Sequence, residues 1–120
     1  MFDWADLLDL AEELVQRTGD EAAERSAISR AYYACFCTAR RYLDPDGIRI
    51  PKSGSGHAIV WTAFHTGPTR THRRIANQGR RLRLWRSKSE YEDTYPDLSK
   101  EARTAVDVAR RLLSDLASPQ

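Results

Sequence analysis

Residues 20–43, DEAAERSAISRAYYACFCTARRYL, restrict the possible folds more than any other stretch of this chain. Thr18-Gly19 stops whatever precedes them, and Asp20 is a suitable N-cap for a helix running to about Leu43. At 1.5 Å per residue such a helix is roughly 35 Å long. Its apolar and aromatic residues, Ile28, Ala31, Tyr32, Tyr33, Cys35 and Phe36 among them, are not confined to one stripe. A helix that is apolar on several sides has to be surrounded, so this segment is expected at the centre of a bundle.

The rest of the chain supplies helices to surround it. Asp3 can cap a first helix in which Trp4, Leu7, Leu8, Ala11, Leu14 and Val15 recur at helical spacing. Residues 44–56, DPDGIRIPKSGSG, contain two prolines and three glycines and read as a loop. Ser55 or Gly56 then starts a short apolar helix carrying Ile59, Val60, Trp61 and Phe64, which Thr66-Gly67-Pro68 ends. Thr69 or Thr71 opens a fourth helix to about Tyr91, with Ile75, Leu82 and Trp85 inward and an unfavourable Gly79 within it. After the break at Tyr95-Pro96, Ser99 is the expected cap of the last helix, whose Ala102, Ala105, Val106, Ala109, Leu112 and Leu116 share one face. Residues 117–120 form a tail. With no strand alternation and no repeat, the expectation is all-α. It is an antiparallel four- to five-helix bundle, four helices long and one short, in a single domain over residues 1–120.

A chain of 120 residues buries roughly 65% of its unfolded surface, which builds a core without disulfides or metals. Hydrophobic residues at 41% and charged residues at 30% fit a soluble domain and exclude a disordered one. The N-terminus is acidic and periodic, unlike a leader, and no apolar run approaches the ~18 residues of a membrane span. A cytoplasmic protein with no membrane partner is expected. Cys35 and Cys37 point about 200° apart on a helix and cannot bond to each other, so both are read as buried, reduced thiols.

Charge is divided sharply along the chain. Residues 1–24 hold eight acids and one base, Arg17, whereas residues 66–89 hold eight bases and no acid. Either the two segments neutralise each other or the basic one faces a polyanion. Within TRTHRRIANQGRRLRLWR, residues 69–86, Arg70, Arg73 or Arg74, Asn77 and Arg81 follow a helical line. A shared cationic surface of this kind fits RNA or DNA phosphates, and equally a solvated face. His57, His65 and His72 have no neighbouring Cys or acid at zinc-ligand spacing, and PKSGSG lacks the strand and the Gly-Lys-Ser/Thr of a phosphate loop. No metal or cofactor is expected.

SRAYYACF on the second helix resembles the Ser-Arg-Ala-Tyr-Tyr-Ala-x-Phe pattern of small prokaryotic HEPN-domain proteins. Gly56-His57 at the start of the third helix, then LRLWRSKSEY with Arg86 and Tyr91, and a final Ala-rich helix are similar in order and spacing, over roughly residues 5–116. The resemblance implies a four- to five-helix bundle, often a homodimer. Its relatives include metal-independent ribonucleases of toxin–antitoxin, CRISPR and phage-defence systems. Others are non-catalytic proteins encoded beside a nucleotidyltransferase.

Nuclease members of that family carry an Arg, four to six residues, then a His. Here six residues after Arg30 lead to Cys37, and no histidine has an Arg at the required distance before it. Metal-free RNA cleavage needs a group that moves a proton near neutral pH, which histidine does and arginine cannot. The expectation is therefore a HEPN-type protein of a toxin–antitoxin or defence module that binds RNA, a nucleotide or a nucleotidyltransferase partner, without efficient nuclease activity. A ribonuclease with a displaced histidine, using Arg30, His57, Arg86 and Tyr91, is the enzymatic alternative, and a plain basic nucleic-acid-binding module is the third. The candidate binding residues are Arg30, Tyr33, Arg70, Arg73, Arg74, Arg81, Arg86 and Tyr91. For Arg30 two readings stand: a cleft shared with Arg86 and Tyr91, or pairing with an acid on a neighbouring helix beside core tyrosines.

Overall fold

A computed structural model describes residues 1–119, which form five helices and no strand: α1 (Asp6–Val15), α2 (Glu21–Leu43), α3 (Ser55–His65), α4 (Arg70–Tyr91) and α5 (Leu98–Ala117). Asp20 caps α2 as expected, its side chain accepting from the Ala23 N–H at 3.1 Å. α2 touches all four other helices and buries Ile28, Tyr32, Cys35 and Phe36 along with five alanines. It is the central helix that its composition requires.

Contacts along the helices give their directions. Arg25, near the start of α2, donates to the Ser89 carbonyl near the end of α4 at 3.1 Å, so these two run antiparallel. Arg74 near the start of α4 pairs with Asp115 near the end of α5 at 2.9 Å, again antiparallel. α2 and α5 run parallel: Glu24 and Leu98 border the same hollow, and farther along the Cys35 thiol lies 3.5 Å from the Ala109 carbonyl. The bundle is thus mostly antiparallel.

The structure corrects several boundaries. Three helices are long and two short, because α1 spans only 10 residues and α3 11. Asp3 does not cap α1 directly; its carboxylate accepts from the Ala5 N–H at 3.0 Å and holds a turn that leads into Asp6. Ser99 lies inside α5. Asp97 occupies the N-cap position in left-handed backbone (φ 59°) with no side-chain cap, because burying Leu98 and bonding the Tyr95 hydroxyl to Glu101 at 3.0 Å start the helix earlier. Ala117 still belongs to α5, and of the expected tail Gln120 lies outside the described residues.

Gly79 sits inside α4 for a steric reason. A Cβ there would stand 2.4 Å from the Trp61 ring, so glycine lets α3 and α4 approach closely. The 44–56 segment is folded down onto α2. Asp44, only 1% exposed, accepts from the Arg49 and Ile50 N–H groups at 2.8 Å each, and Arg40 donates to the Ile50 carbonyl at 2.6 and 2.8 Å. The Ile50 N–H bond, above all, holds the Asp44 carboxyl below its usual range. Cys35 is buried, but Cys37 is only half-buried, against the expectation that both are enclosed. No described helix is long and apolar enough to cross a membrane.

Candidate functional site

A cleft of about 650 Å³ opens between the start of α1, one stripe of α2 and the folded 44–52 loop. Arg30, Tyr33, Cys37 and Arg41 recur on α2 at three- and four-residue steps, which puts them on a single face. The turn before α1 contributes Trp4 and the loop contributes Lys52. Arg40 and Asp44 also line the cleft, but both are occupied in fixing the loop. Arg30, Arg41 and Lys52 make no ion pair among the described residues, and these three cations outnumber the one unpaired acid of the cleft lining, Asp46. Arg30 is exposed on the cleft rim, so it does not pair with an acid on a neighbouring helix. Cations beside aromatic faces suit a ligand that has both phosphate and a ring.

Tyr33 and Phe36 separate this cleft from a buried polar network. Phe36 lines the cleft and stacks on His57 with ring centres 4.0 Å apart. Behind it, the Trp61 Nε1–H donates to the Tyr32 hydroxyl at 3.2 Å, and that hydroxyl lies 2.5 Å from His57 Nδ1. The indole can only donate, and the fully buried Tyr32 hydroxyl has no acceptor among the described residues other than His57 Nδ1, so the Tyr32 oxygen accepts from Trp61 and gives its own proton to Nδ1. His57 is thereby assigned the tautomer protonated on Nε2. Burial, then the charges of Arg83 and Arg86, lower the His57 pKa to about 4. At neutral pH His57 is an uncharged donor. Its Nδ1, the nitrogen that could accept a proton, is engaged.

Of the expected site residues, Arg30 and Tyr33 share the cleft. Arg86 does not line it. Its guanidinium sits 5.4 Å from the Tyr32 ring centre and 5.6 Å from that of Tyr33, behind the cleft wall, with an Arg86–Glu90 contact of 3.4 Å. Tyr91, 74% exposed, stands on the outer face of α4 and joins neither group, so the expected grouping of Arg30, Arg86 and Tyr91 in one cleft is not what the fold builds. Arg70, Arg73 and Arg81 are exposed on that outer face, Arg81 lying 4.9 Å over the Trp85 ring. Arg74 is held by Asp115 through two bonds of 2.9 Å. α1 does not touch α4, and no ion pair among the described residues joins segment 1–24 to segment 66–89. Direct pairing of the two segments is therefore removed as the reason for the charge split.

Trp61, Arg83 and Arg41 enter the site though none is among the expected site residues, and Tyr32, expected as a core tyrosine, joins it through its hydroxyl. The helical register could have indicated Arg41, which lies eleven residues beyond Arg30, three turns along α2. Burial pushes the Cys37 thiol up, so it is no thiolate at neutral pH despite Arg40 and Arg41 nearby. Among the described residues no group of three His, Cys, Asp or Glu is placed to hold a metal ion. The chain matches no family model, no curated protein and no solved structure.

Proposed function

We propose that this chain is a HEPN-type helical protein of a prokaryotic toxin–antitoxin or defence module that holds RNA or a nucleotide in the cleft, without efficient nuclease activity. The carrying observation is the pairing of excess cations, Arg30, Arg41 and Lys52, with the aromatic faces of Trp4 and Tyr33 in one cavity. Arginine fits phosphate oxygens in pairs, and an aromatic face accepts any base. The absence of efficient cleavage follows from proton chemistry. Cys37 stays protonated, and His57 is neutral with Nδ1 engaged by Tyr32. On the resemblance alone, a homodimer and a nucleotidyltransferase-family partner are part of the same proposal.

The test is equilibrium binding of a fluorescent single-stranded RNA in chelator, with the RNA recovered afterwards. The expected result is intact RNA and binding weakened about tenfold or more by Arg30→Ala and by Tyr33→Ala, the range for a lost charged contact or base stack. Equal binding by both variants overturns the cleft. A second reading, metal-independent ribonuclease, draws on the position of His57 beside Arg83 and Arg86. It predicts cleavage in chelator that disappears in both His57→Ala and Arg30→Ala.

A further inference from the structure

The buried network leaves three hydrogen-bond donors together with little to accept from them. His57 is 6% exposed, yet its Nε2 has no protein partner and keeps contact with solvent. Because Tyr32 donates to Nδ1, this edge presents an N–H. Arg86 is only 13% exposed in its side chain, and its Nε is buried without a hydrogen-bond partner. A buried guanidinium N–H without an acceptor is costly, and such groups normally have one. Arg83 lies one turn earlier on α4, and no described acid pairs with it. Among the described residues the only carboxylate bonded to any of the three is Glu90, at 3.4 Å from Arg86 and shared with Ser29. That single acid leaves an excess of positive charge.

We propose that His57, Arg83 and Arg86 form a phosphate-binding subsite that adjoins the cleft across Tyr33, with neutral His57 donating from Nε2. Tyr33 connects the two regions, since it lines the cleft while its ring lies 5.6 Å from the Arg86 guanidinium and 6.3 Å from the His57 ring. A strand whose base stacks on Tyr33 would then place its next phosphate among these donors. Burial first, and then the charges of Arg83 and Arg86, keep His57 neutral, and those same two charges favour an anion there. Only the assignment of the phosphate to a nucleic acid strand or nucleotide rests on the proposed function; the affinity for phosphate does not.

The experiment is NMR of the full chain with 15N-labelled side chains, titrated first with inorganic phosphate and then with a short single-stranded RNA. The expected His57 pattern is Nε2–H with Nδ1 as acceptor. Phosphate should shift His57 Nε2 and the arginine Nε signals to saturation. Arg83→Gln should raise the concentration needed at least tenfold. RNA should produce the same shifts at lower concentration if the strand spans both regions. If the shifts come from phosphate but not from RNA, free phosphate is the ligand and the subsite stands while the proposed function falls. An Nδ1–H tautomer, a response that never saturates, or an equal response in Arg83→Gln overturns the subsite. Arg83 makes no hydrogen bond to the described residues, so this variant is expected to fold, and its backbone spectrum reports whether it does.

Discussion

Tyr32 carries two hydrogen bonds on one buried oxygen, and removing that oxygen isolates both partners. Tyr32→Phe leaves the Trp61 N–H and His57 Nδ1 enclosed without a mate. The expected loss is about 2–4 kcal/mol in a urea melt, from two desolvated groups at ~1–2 kcal/mol each. His57 gives a pH signature. Its folded pKa of about 4 lies below the unfolded 6.5, so the unfolded chain binds more protons between those values. Stability from this group is complete above pH 6.5, falls as pH drops toward 4, and levels off below. Its size is about 2 kcal/mol, less than the full shift implies because the open Nε2 edge is screened by solvent. His57→Gln, which can still accept from Tyr32, should remove that slope from a series of denaturation curves between pH 4 and 7. From the sequence, Tyr33 was read as a site residue and Tyr32 was not. Adjacent residues on a helix point 100° apart, and nothing local says which of them meets α3. Gly79, by contrast, is unfavourable in a helix by propensity alone and is required here because the Trp61 ring lies where its Cβ would be.

Helix ends were legible where a local polar side chain decides them and obscure where burial does. Asp20 and Thr69 each cap a helix through their own side chains, the first expected from sequence and the second one of the two threonines the sequence offers. α5 starts at Leu98 because that side chain enters the core, a tertiary cause that leaves no cap residue to read. Packing between elements has a comparable hidden fastener in Arg25. From the start of α2 it donates to the Ser89, Glu92 and Asp93 carbonyls at 3.1, 2.6 and 3.3 Å, satisfying the end of α4 and the chain beyond. Arg25→Met keeps much of the stem's bulk but removes these bonds. The expected cost is about 2–3 kcal/mol, given charged hydrogen bonds partly replaced by water. Hydrogen exchange should show faster opening of the last turn of α4 than of α2; equal protection in variant and parent would mean that α4 is held by packing alone.

Across the whole molecule, the charge split becomes two separate surfaces. The acids of α1 face water and α5, with Glu12 pairing Arg110 at 3.0 Å, while the outer face of α4 presents Arg70, Arg73 and Arg81 with no acid opposite them. The same stripe continues into Leu84 and Tyr91, exposed at 62% and 74%, so it is cationic at one end and apolar at the other. The line of arginines was legible because helical periodicity alone defines an outer face. Its freedom from the acidic segment was not, because that depends on which helices touch. If single-stranded RNA lies along this face, each phosphate contact contributes ~0.7 to the slope of log K against log salt. Arg73→Ala with Arg81→Ala should therefore flatten the slope by about 1.4. Arg74 differs, since Asp115 already holds it through two bonds of 2.9 Å. Arg74→Ala should leave the slope nearly unchanged and instead loosen the α4–α5 contact, by up to about 1 kcal/mol for a half-exposed pair. Fluorescence anisotropy from 50 to 300 mM salt separates the cases. A slope that responds to Arg30→Ala and Arg41→Ala but not to Arg73 and Arg81 would confine nucleic acid to the cleft and leave the outer face of α4 as a solvated surface.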